Sequence, residues 1–438
     1  MKDISSTGSF VDFTLENFIY VDKTVYIPQL VKLKRVFISR PRRFGKSLTL
    51  DTIATLFETG VEPYFKGTWI YDKWTEPTYP VLRLNFLDLD KYSLEHFKQK
   101  LNAIISSFAR DINVKNYEEK VEPEDTIYFL LDELRKEKRQ IVILIDEYDC
   151  QMTANINNET LYKQFQEKIK SFYATIKNKW PIKFLGITGV TRLKDVEIFS
   201  IGSDINDITN DSVYSQMIGF TRDEIKKYYI DYLKLAASYE NKCRVEEVTD
   251  TQIESMLDMM AQNYDGYCFD EFYKKKVFST WSVNKFFQSV VSNKFVYFGE
   301  YWYDNDGLPS ILVNYLKTHE LNIFEYLDKD KFLKVSCDDF KNPTALTTIN
   351  QNVLMCQTGY LTLRSDLNKT STVALGIPNG EIYKALNRLL ANNIFKGNTD
   401  ITDDYGRSLL EVGTVDDIIN LFNSALNSVS YDNYPIVS

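Results

Sequence analysis

Two short stretches of this chain carry residue types that together suit phosphoryl chemistry. The first is SRPRRFGKS, Ser39 to Ser47, which follows the apolar run Val36, Phe37, Ile38 and leads into KSLTLDTIATLFE. Strand, glycine-lysine-serine turn and helix is the setting of a phosphate-binding loop. There the loop N–H groups and the helix N-terminus face a polyphosphate, Lys46 reaches the β- and γ-phosphates, and Ser47 holds Mg²⁺. On this reading Arg42, Arg43, Phe44, Gly45, Lys46, Ser47 and Leu48 surround a bound nucleotide. A GKS tripeptide alone is usually a surface turn, and the flanking strand and helix are what favour the loop. The pattern GxxxxGK[ST] asks for glycine at position 40, where this chain has Arg40. Pro41 fixes its own φ and restricts the residue before it, so the turn does not depend on a glycine there. The guanidinium groups of Arg42 and Arg43 suit a phosphate or a carboxylate; a solvated or internally paired couple is the competing expectation.

The second stretch is IVILIDEYD (141–149), an apolar strand ending in two carboxylates. In an open parallel sheet the ligand crevice lies outside the carboxyl ends of the strands, so Asp146 and the loop face the same nucleotide. Asp146 then holds Mg²⁺, directly or through water, and Glu147 orients and polarises the attacking water. A third apolar run, ending in GITGVTRLKD, brings Thr188 to a strand end as a polar sensor, with simple satisfaction of a strand edge as the alternative. Arg192 is a candidate arginine finger, although an ordinary surface arginine is the stronger expectation there. Catalytic roles thus fall to Lys46, Glu147 and Thr188, and metal binding to Ser47 and Asp146.

The elements that must position these groups alternate. Strand candidates are Val36–Ser39, Val81–Phe86, Ile141–Asp146 and Ile182–Thr188, mostly continuous apolar runs of the kind buried parallel strands require. Between them lie amphipathic helices; in one, Leu94, Phe97, Leu101, Ile104, Ile105 and Phe108 share a face. The expectation is an α/β fold with a parallel sheet flanked by helices over residues 1–215. From Gly219 the pattern turns helical, and Thr221 with Glu224 forms a capping box. A helical segment is expected over 216–330 and a small α+β module over 331–395, ending in GEIYKALNRLLANNIF. One more amphipathic helix follows in the tail, 396–438.

Composition narrows the classes. With 44% hydrophobic residues the 438-residue chain can bury sizeable cores, and its net charge of −9 argues against broad nucleic-acid binding. Five scattered cysteines without a CxxC pair, and no apolar run of spanning length, point to a reducing, cytoplasmic setting away from membranes. The two histidines, His96 and His319, lack metal-ligand spacing. The triplets Glu224-Ile225-Lys226 and Asp339-Phe340-Lys341 read as surface charge.

Collinear motifs along nearly the whole chain resemble the AAA-ATPase-like family. They are FIYVDKTVYIPQLV (18–31), SRPRRFGKS, LIDEYD, GITGVTRL (186–193), FSIGSDINDITND (199–211), GFTRDEI (219–225), YDGYCF (264–269), WSVNKFF (281–287), YWYDNDGLPSILV (301–313) and LGIPNGEIYKAL (375–386). The resemblance makes Arg40 a family marker. It implies a P-loop ATPase core using ATP and Mg²⁺, then a helical lid and a winged-helix-like module. It also implies a C-terminal PD-(D/E)XK nuclease-like domain in longer relatives, toward which 396–438 would be the linker; no nuclease residues are assignable here. Asp22 and Lys23 match a recurrent pair that chemistry alone gives no role beyond closing the N-terminal segment onto the core. The resulting expectation is a slowly hydrolysing, nucleotide-dependent regulatory module. The alternative is a nucleotide-gated adaptor without meaningful turnover. EIYKALNRLLANN offers only Lys384 and Arg388 to a DNA groove, so a protein partner through 331–395 is expected ahead of DNA.

Overall fold

The computed structural model describes residues 1–177, 179–193, 204–302, 310–316, 319, 325–326, 328, 330–343, 345–394, 414–416 and 419. The expected tail linker therefore lies almost wholly outside the described residues, as do parts of the 199–211 and 301–313 motifs.

The first part of the chain runs α1 (Phe10–Leu15), α2 (Ile27–Leu33), β1 (Arg35–Ser39), α3 (Lys46–Thr59), β2 (Val81–Asn85), α4 (Leu94–Asp111) and α5 (Pro123–Lys136). It continues through β3 (Ile141–Asp146), α6 (Cys150–Ala154), α7 (Glu159–Ile176), β4 (Ile182–Gly189) and the two-residue β5 (Asn206–Asp207). The strands form one parallel sheet in the order β2-β3-β4-β1-β5. Every residue of β1 is buried, as are the first five of β3, because helices cover both faces of the sheet. That is why these runs read as continuous rather than alternating. The four strands expected from the sequence are present, while β5 is too short for any periodicity to reveal.

The helical segment comprises α8 (Arg222–Tyr228), α9 (Ile230–Asn241), α10 (Asp250–Tyr264) and α11 (Thr280–Asn293). Thr221 and Glu224 form the expected reciprocal capping box at α8, a feature worth about 1 kcal/mol. These helices enclose a second apolar cluster, to which Ile19 and Val21 of the N-terminal segment contribute. The recurrent Asp22-Lys23 pair explains how that segment is held. Asp22 accepts hydrogen bonds from Thr24 and from the Trp69 N–H (2.6 Å), and Lys23 Nζ reaches Gln216 O (2.7 Å) and Glu224 (2.6 Å). Glu224 is thus both helix cap and ion-pair partner rather than idle surface charge.

Next come α12 (Ser310–Leu316), β6 (Leu333–Ser336), α13 (Cys337–Lys341), α14 (Gln351–Gln357), β7 (Thr362–Leu363), β8 (Thr372–Gly376) and α15 (Gly380–Ile394). Although α12 falls in the expected lid span, its Ile311, Leu312 and Tyr315 bury into the same cluster as the parallel sheet. The strands β6-β8-β7 form an antiparallel sheet, with α13 and α14 between its first two strands in sequence. This is a winged-helix-like order, and it corrects one expectation. The helix inside the strand framework is the seven-residue α14, QNVLMCQ, not the longer 381–393 segment EIYKALNRLLANN. Arg388 of that longer helix is paired with Glu300 at 3.2 Å.

Candidate active site

The loop between β1 and α3 is held from several sides. Arg40 is fully buried and turned inward, donating to Ser39 O (2.9 Å) and Thr209 O (2.6 Å), with its guanidinium 4.1 Å from the Phe269 ring centre. Burial pulls its pKa down to about 9, with Asp207 opposing. The residue standing where the pattern asks for glycine is therefore an internal brace, and its side chain does not approach a phosphate. Pro41 lies against Gly359, whose φ of +93° and contacts with Trp302 and Pro41 leave no room for a Cβ. Phe44 is buried with its ring edge-on to Tyr267, Phe269 and Trp302.

Arg43 and Gly45 both adopt left-handed backbone, φ +67° and +99°. Such reversals build anion-binding nests from successive N–H groups. Gly45 is the N-cap of α3 and supplies no side-chain cap, so the first-turn N–H groups of a 14-residue helix are left for a ligand. The Arg43 side chain leaves the loop, however. Its Nη1 donates to Tyr301 O and Trp302 O, each at 2.6 Å, and its guanidinium stacks over Trp281. Of the two competing expectations for Arg43, internal pairing describes its side chain, and only its backbone faces the helix start. Arg42 is exposed.

The strand order places β4 between the loop strand β1 and the acidic strand β3. Its register puts Thr188 beside Ile38, and Ile187 beside Ile145. Lys46, Ser47, Asp146, Glu147 and Thr188 consequently meet. Ser47 Oγ donates to Asp146 Oδ2 at 2.6 Å, and Thr188 Oγ1 donates to the other carboxylate oxygen. Lys46 Nζ is buried 3.4 Å from Glu147 Oε1 and 3.3 Å from Pro41 O. Glu147 has left-handed backbone (φ +51°), and its N–H donates to Asp146 Oδ1 at 3.0 Å. The reversal at Glu147 turns the chain out of β3 and sets the two carboxylates apart, one toward Ser47 and one toward Lys46.

Asp149 fixes the opposite strand end. It accepts from the Thr191 N–H at 2.7 Å and from the Thr191 hydroxyl. Burial and the neighbouring Glu147 push its carboxyl up, and Thr191 pulls it back. A Cβ at Gly189 would lie 2.4 Å from Tyr148 and 2.7 Å from Asp149, which explains the second glycine of GITGVTRL. Arg192, the candidate finger, instead joins Lys341 O and Asp207, and its N–H donates to the Gln357 side-chain oxygen of α14 while its carbonyl accepts from the Gln357 side-chain amide. It links the core to the C-terminal module rather than facing the loop.

Sequence reasoning missed a cavity of about 160 Å³ alongside the loop and α3. Tyr20, Leu48, Thr52, Phe220, Trp281 and Asn284 are among its walls, with Arg43 to Gly45 at one end. Its residues come from segments more than 200 positions apart. The signal was nevertheless in view, since three motifs that carried the resemblance without a role (FIYVDKT, GFTRDEI, WSVNKFF) supply those walls.

The loop is also wired to the C-terminal module. Arg43 holds the Tyr301 and Trp302 carbonyls, and the Trp302 N–H donates to Glu381 Oε1 at 2.8 Å, while Ser282 Oγ donates to Glu381 Oε2 at 2.8 Å. Burial pushes the Glu381 carboxyl up to about 8, against the downward pull of Ser282, the 301–302 backbone and Arg43. The folded protein therefore holds this proton up to about pH 8, whereas the unfolded chain releases it near 4.5. Across that window the folded state binds more protons, so stability falls as pH rises, with a slope of at most about 1.4 kcal/mol per pH unit from this group. Urea melts between pH 5 and 8.5 should show a shallower decline for Glu381→Gln than for wild type. An unchanged slope would remove Glu381 as its source.

A parallel sheet with a phosphate loop on one strand, an acidic strand end two places across, and a polar side chain between them defines a P-loop NTPase core. Residues 5–199 match the AAA-ATPase-like family, described as "Predicted AAA-ATPase". The resemblance read from the motifs therefore holds over the first part of the chain. The protein is also similar, at 26% identity over 431 residues, to the "Uncharacterized protein in vnfD 5′ region" of Azotobacter chroococcum mcd 1, covering 96% of this chain and 76% of that relative. Among solved structures, Cdc6p from Pyrobaculum aerophilum aligns at a TM-score of 0.31 and 11% identity, covering 84% of this chain and 91% of that one. That slight likeness adds nothing to the fold read from the strands. Among the described residues no helix is long and apolar enough to cross a membrane, and no cluster of three or more His, Cys, Asp or Glu side chains forms a metal site.

Proposed function

We propose that this protein binds ATP with Mg²⁺, hydrolyses it slowly, and uses nucleotide state to set the relation of a lid (216–330) and a winged-helix-like module (331–395) to the core. The observation that carries the reading is the meeting of Lys46, Ser47, Asp146 and Glu147 at the uncapped start of α3, beside a largely apolar cavity. Phosphates fit the helix start, and a flat, mostly apolar base fits the cavity. A hard divalent cation fits the adjoining Ser47 and Asp146 oxygens; one carboxylate and a hydroxyl, completed by water and phosphate, is what Mg²⁺ commonly uses. When bound, the cation neutralises phosphate charge.

The chain's own groups do the rest. Lys46 passes from Glu147 to the γ-phosphate, and Glu147 then orients a water and takes its proton. Thr188 keeps Asp146 oriented. Breaking the Lys46–Glu147 pair is a cost met when the nucleotide binds, before Glu147 is released to the water. The regulatory part rests on Arg43 and Phe44, which tie the loop to Tyr301, Trp302 and, through them, to Glu381. A protein partner is favoured over DNA because α14 carries no lysine or arginine. We place the protein in the cytoplasm on its cysteine usage.

Phosphate release from Mg·ATP, together with amide exchange of 333–376 in ATP and in ADP, tests both halves. Turnover with a nucleotide-dependent change in exchange is expected; no turnover, or identical exchange, would refute the corresponding half. A narrower test concerns the base. Leu48→Trp should fill the cavity and weaken ATP at least about tenfold, a loss of about 1.4 kcal/mol, and unchanged affinity would place the base elsewhere.

A further inference from the structure

The sequence offers four arginines around the loop, and the structure occupies three of them. Arg40 braces Ser39 and Thr209 from within, Arg43 holds the 301–302 carbonyls, and Arg192 ties Asp207 to Lys341. Arg42 alone is exposed, and no hydrogen-bond or ion-pair partner faces it among the described residues. It stands at a second cavity, of about 110 Å³, whose walls include Glu147, Asp149, Lys91, Thr153 and Asn314. This cavity adjoins the Glu147 side of the site and is distinct from the apolar one beside α3.

We propose that Arg42 is a catalytic residue of the ATPase reaction, a guanidinium supplied by the phosphate loop itself that contacts the γ-phosphoryl group in the transition state. The inference rests on the ATPase reading above. In that reaction a water oxygen forms a bond to the γ-phosphorus while the bond from phosphorus to the β,γ-bridging oxygen breaks. The water proton goes to Glu147, and the electron pair leaves with ADP. Charge shifts across the γ-oxygens and onto the bridging oxygen, where a planar fork of N–H donors is worth most. Lys46 reaches the γ-phosphate from deeper in the site, where it is buried beside Pro41 O, and gives one point charge. Arg42 opens onto the face where the water must stand.

An exposed arginine is ordinarily a solvated side chain. Its base here is unusually fixed, because Pro41 is pinned by Gly359 on one side and Phe44 is locked among aromatic rings on the other. A short, braced loop fixes the backbone from which the side chain reaches, so only the rotamer entropy of Arg42 itself remains to be lost on contact with phosphate. Because the group comes from the same chain, turnover per molecule should not depend on protein concentration.

The test uses the full chain as wild type, Arg42→Ala and Arg42→Lys, with three readings: Mg·ATP affinity by calorimetry, kcat by phosphate release, and binding of ADP with aluminium fluoride. Arg42→Ala should lower kcat about 10²-fold or more and abolish tight ADP–aluminium fluoride binding, while ATP affinity stays within about threefold. Arg42→Lys should restore little, because an ammonium cannot reproduce the fork. Wild-type kcat should be flat across protein concentration. A kcat for Arg42→Ala within twofold of wild type, or a wild-type kcat that climbs with concentration, overturns the proposal alone. Wild-type protein that binds ATP yet never hydrolyses it overturns the ATPase reading, and this proposal with it.

Discussion

Glu147→Gln is expected to keep Mg·ATP bound while hydrolysis falls about 10²–10³-fold, the scale of losing a positioned general base. The substitution preserves shape, so the left-handed turn at position 147 and the N–H bond to Asp146 survive. What disappears is the capacity to take a proton from water and the charge that pairs with Lys46 at 3.4 Å. Losing that charge frees Lys46 for phosphate, so affinity should hold or tighten slightly. Phosphate release and calorimetry on the same preparation separate the two effects. Equal losses in binding and turnover would show that Glu147 does not serve the water.

Lys46→Ala is expected to act the other way, on binding first. A charge-assisted bond from a buried ammonium to phosphate is worth about 2–3 kcal/mol, so ATP affinity should drop about 30- to 150-fold and turnover with it. The loss also leaves Glu147 beside the loop without its cation, which adds repulsion against incoming phosphates. Thermal melting should move little, since Glu147 retains some solvent. Wild-type affinity in this variant would mean that the nucleotide does not use this loop.

Much of the core was legible because its signals are local. β1, β3 and β4 are apolar runs, Gly45-Lys46-Ser47 follows one of them, and Asp146-Glu147 closes another. The parallel arrangement then forces those ends together, so short motifs sufficed to nominate the cluster. The directions of the arginines were not legible. Whether a guanidinium serves phosphate or a carbonyl depends on residues far away, 301–302 for Arg43 and 209 for Arg40. The apolar cavity was hidden for the same reason, being assembled from segments 5–7, 19–23, 217–220 and 280–284 around α3. In the C-terminal module the 381–393 segment drew attention because it is long and amphipathic. The helix between the strands, α14, is two turns of uncharged residues, too short for periodicity to show and too bland for a motif. Glu381 looked like one more helix-start carboxylate until its burial against Ser282 and Trp302 was seen.

The account stands or falls on whether this loop binds a nucleoside polyphosphate. Calorimetric titration of the full chain with Mg·ATP, ADP and AMP tests it directly. ATP and ADP should each bind one to one, with AMP at least about 100-fold weaker, because roughly 2.7 kcal/mol or more should come from phosphates that AMP lacks. Saturable binding of AMP as tight as that of ATP, or no saturable binding of ATP at all, would contradict it.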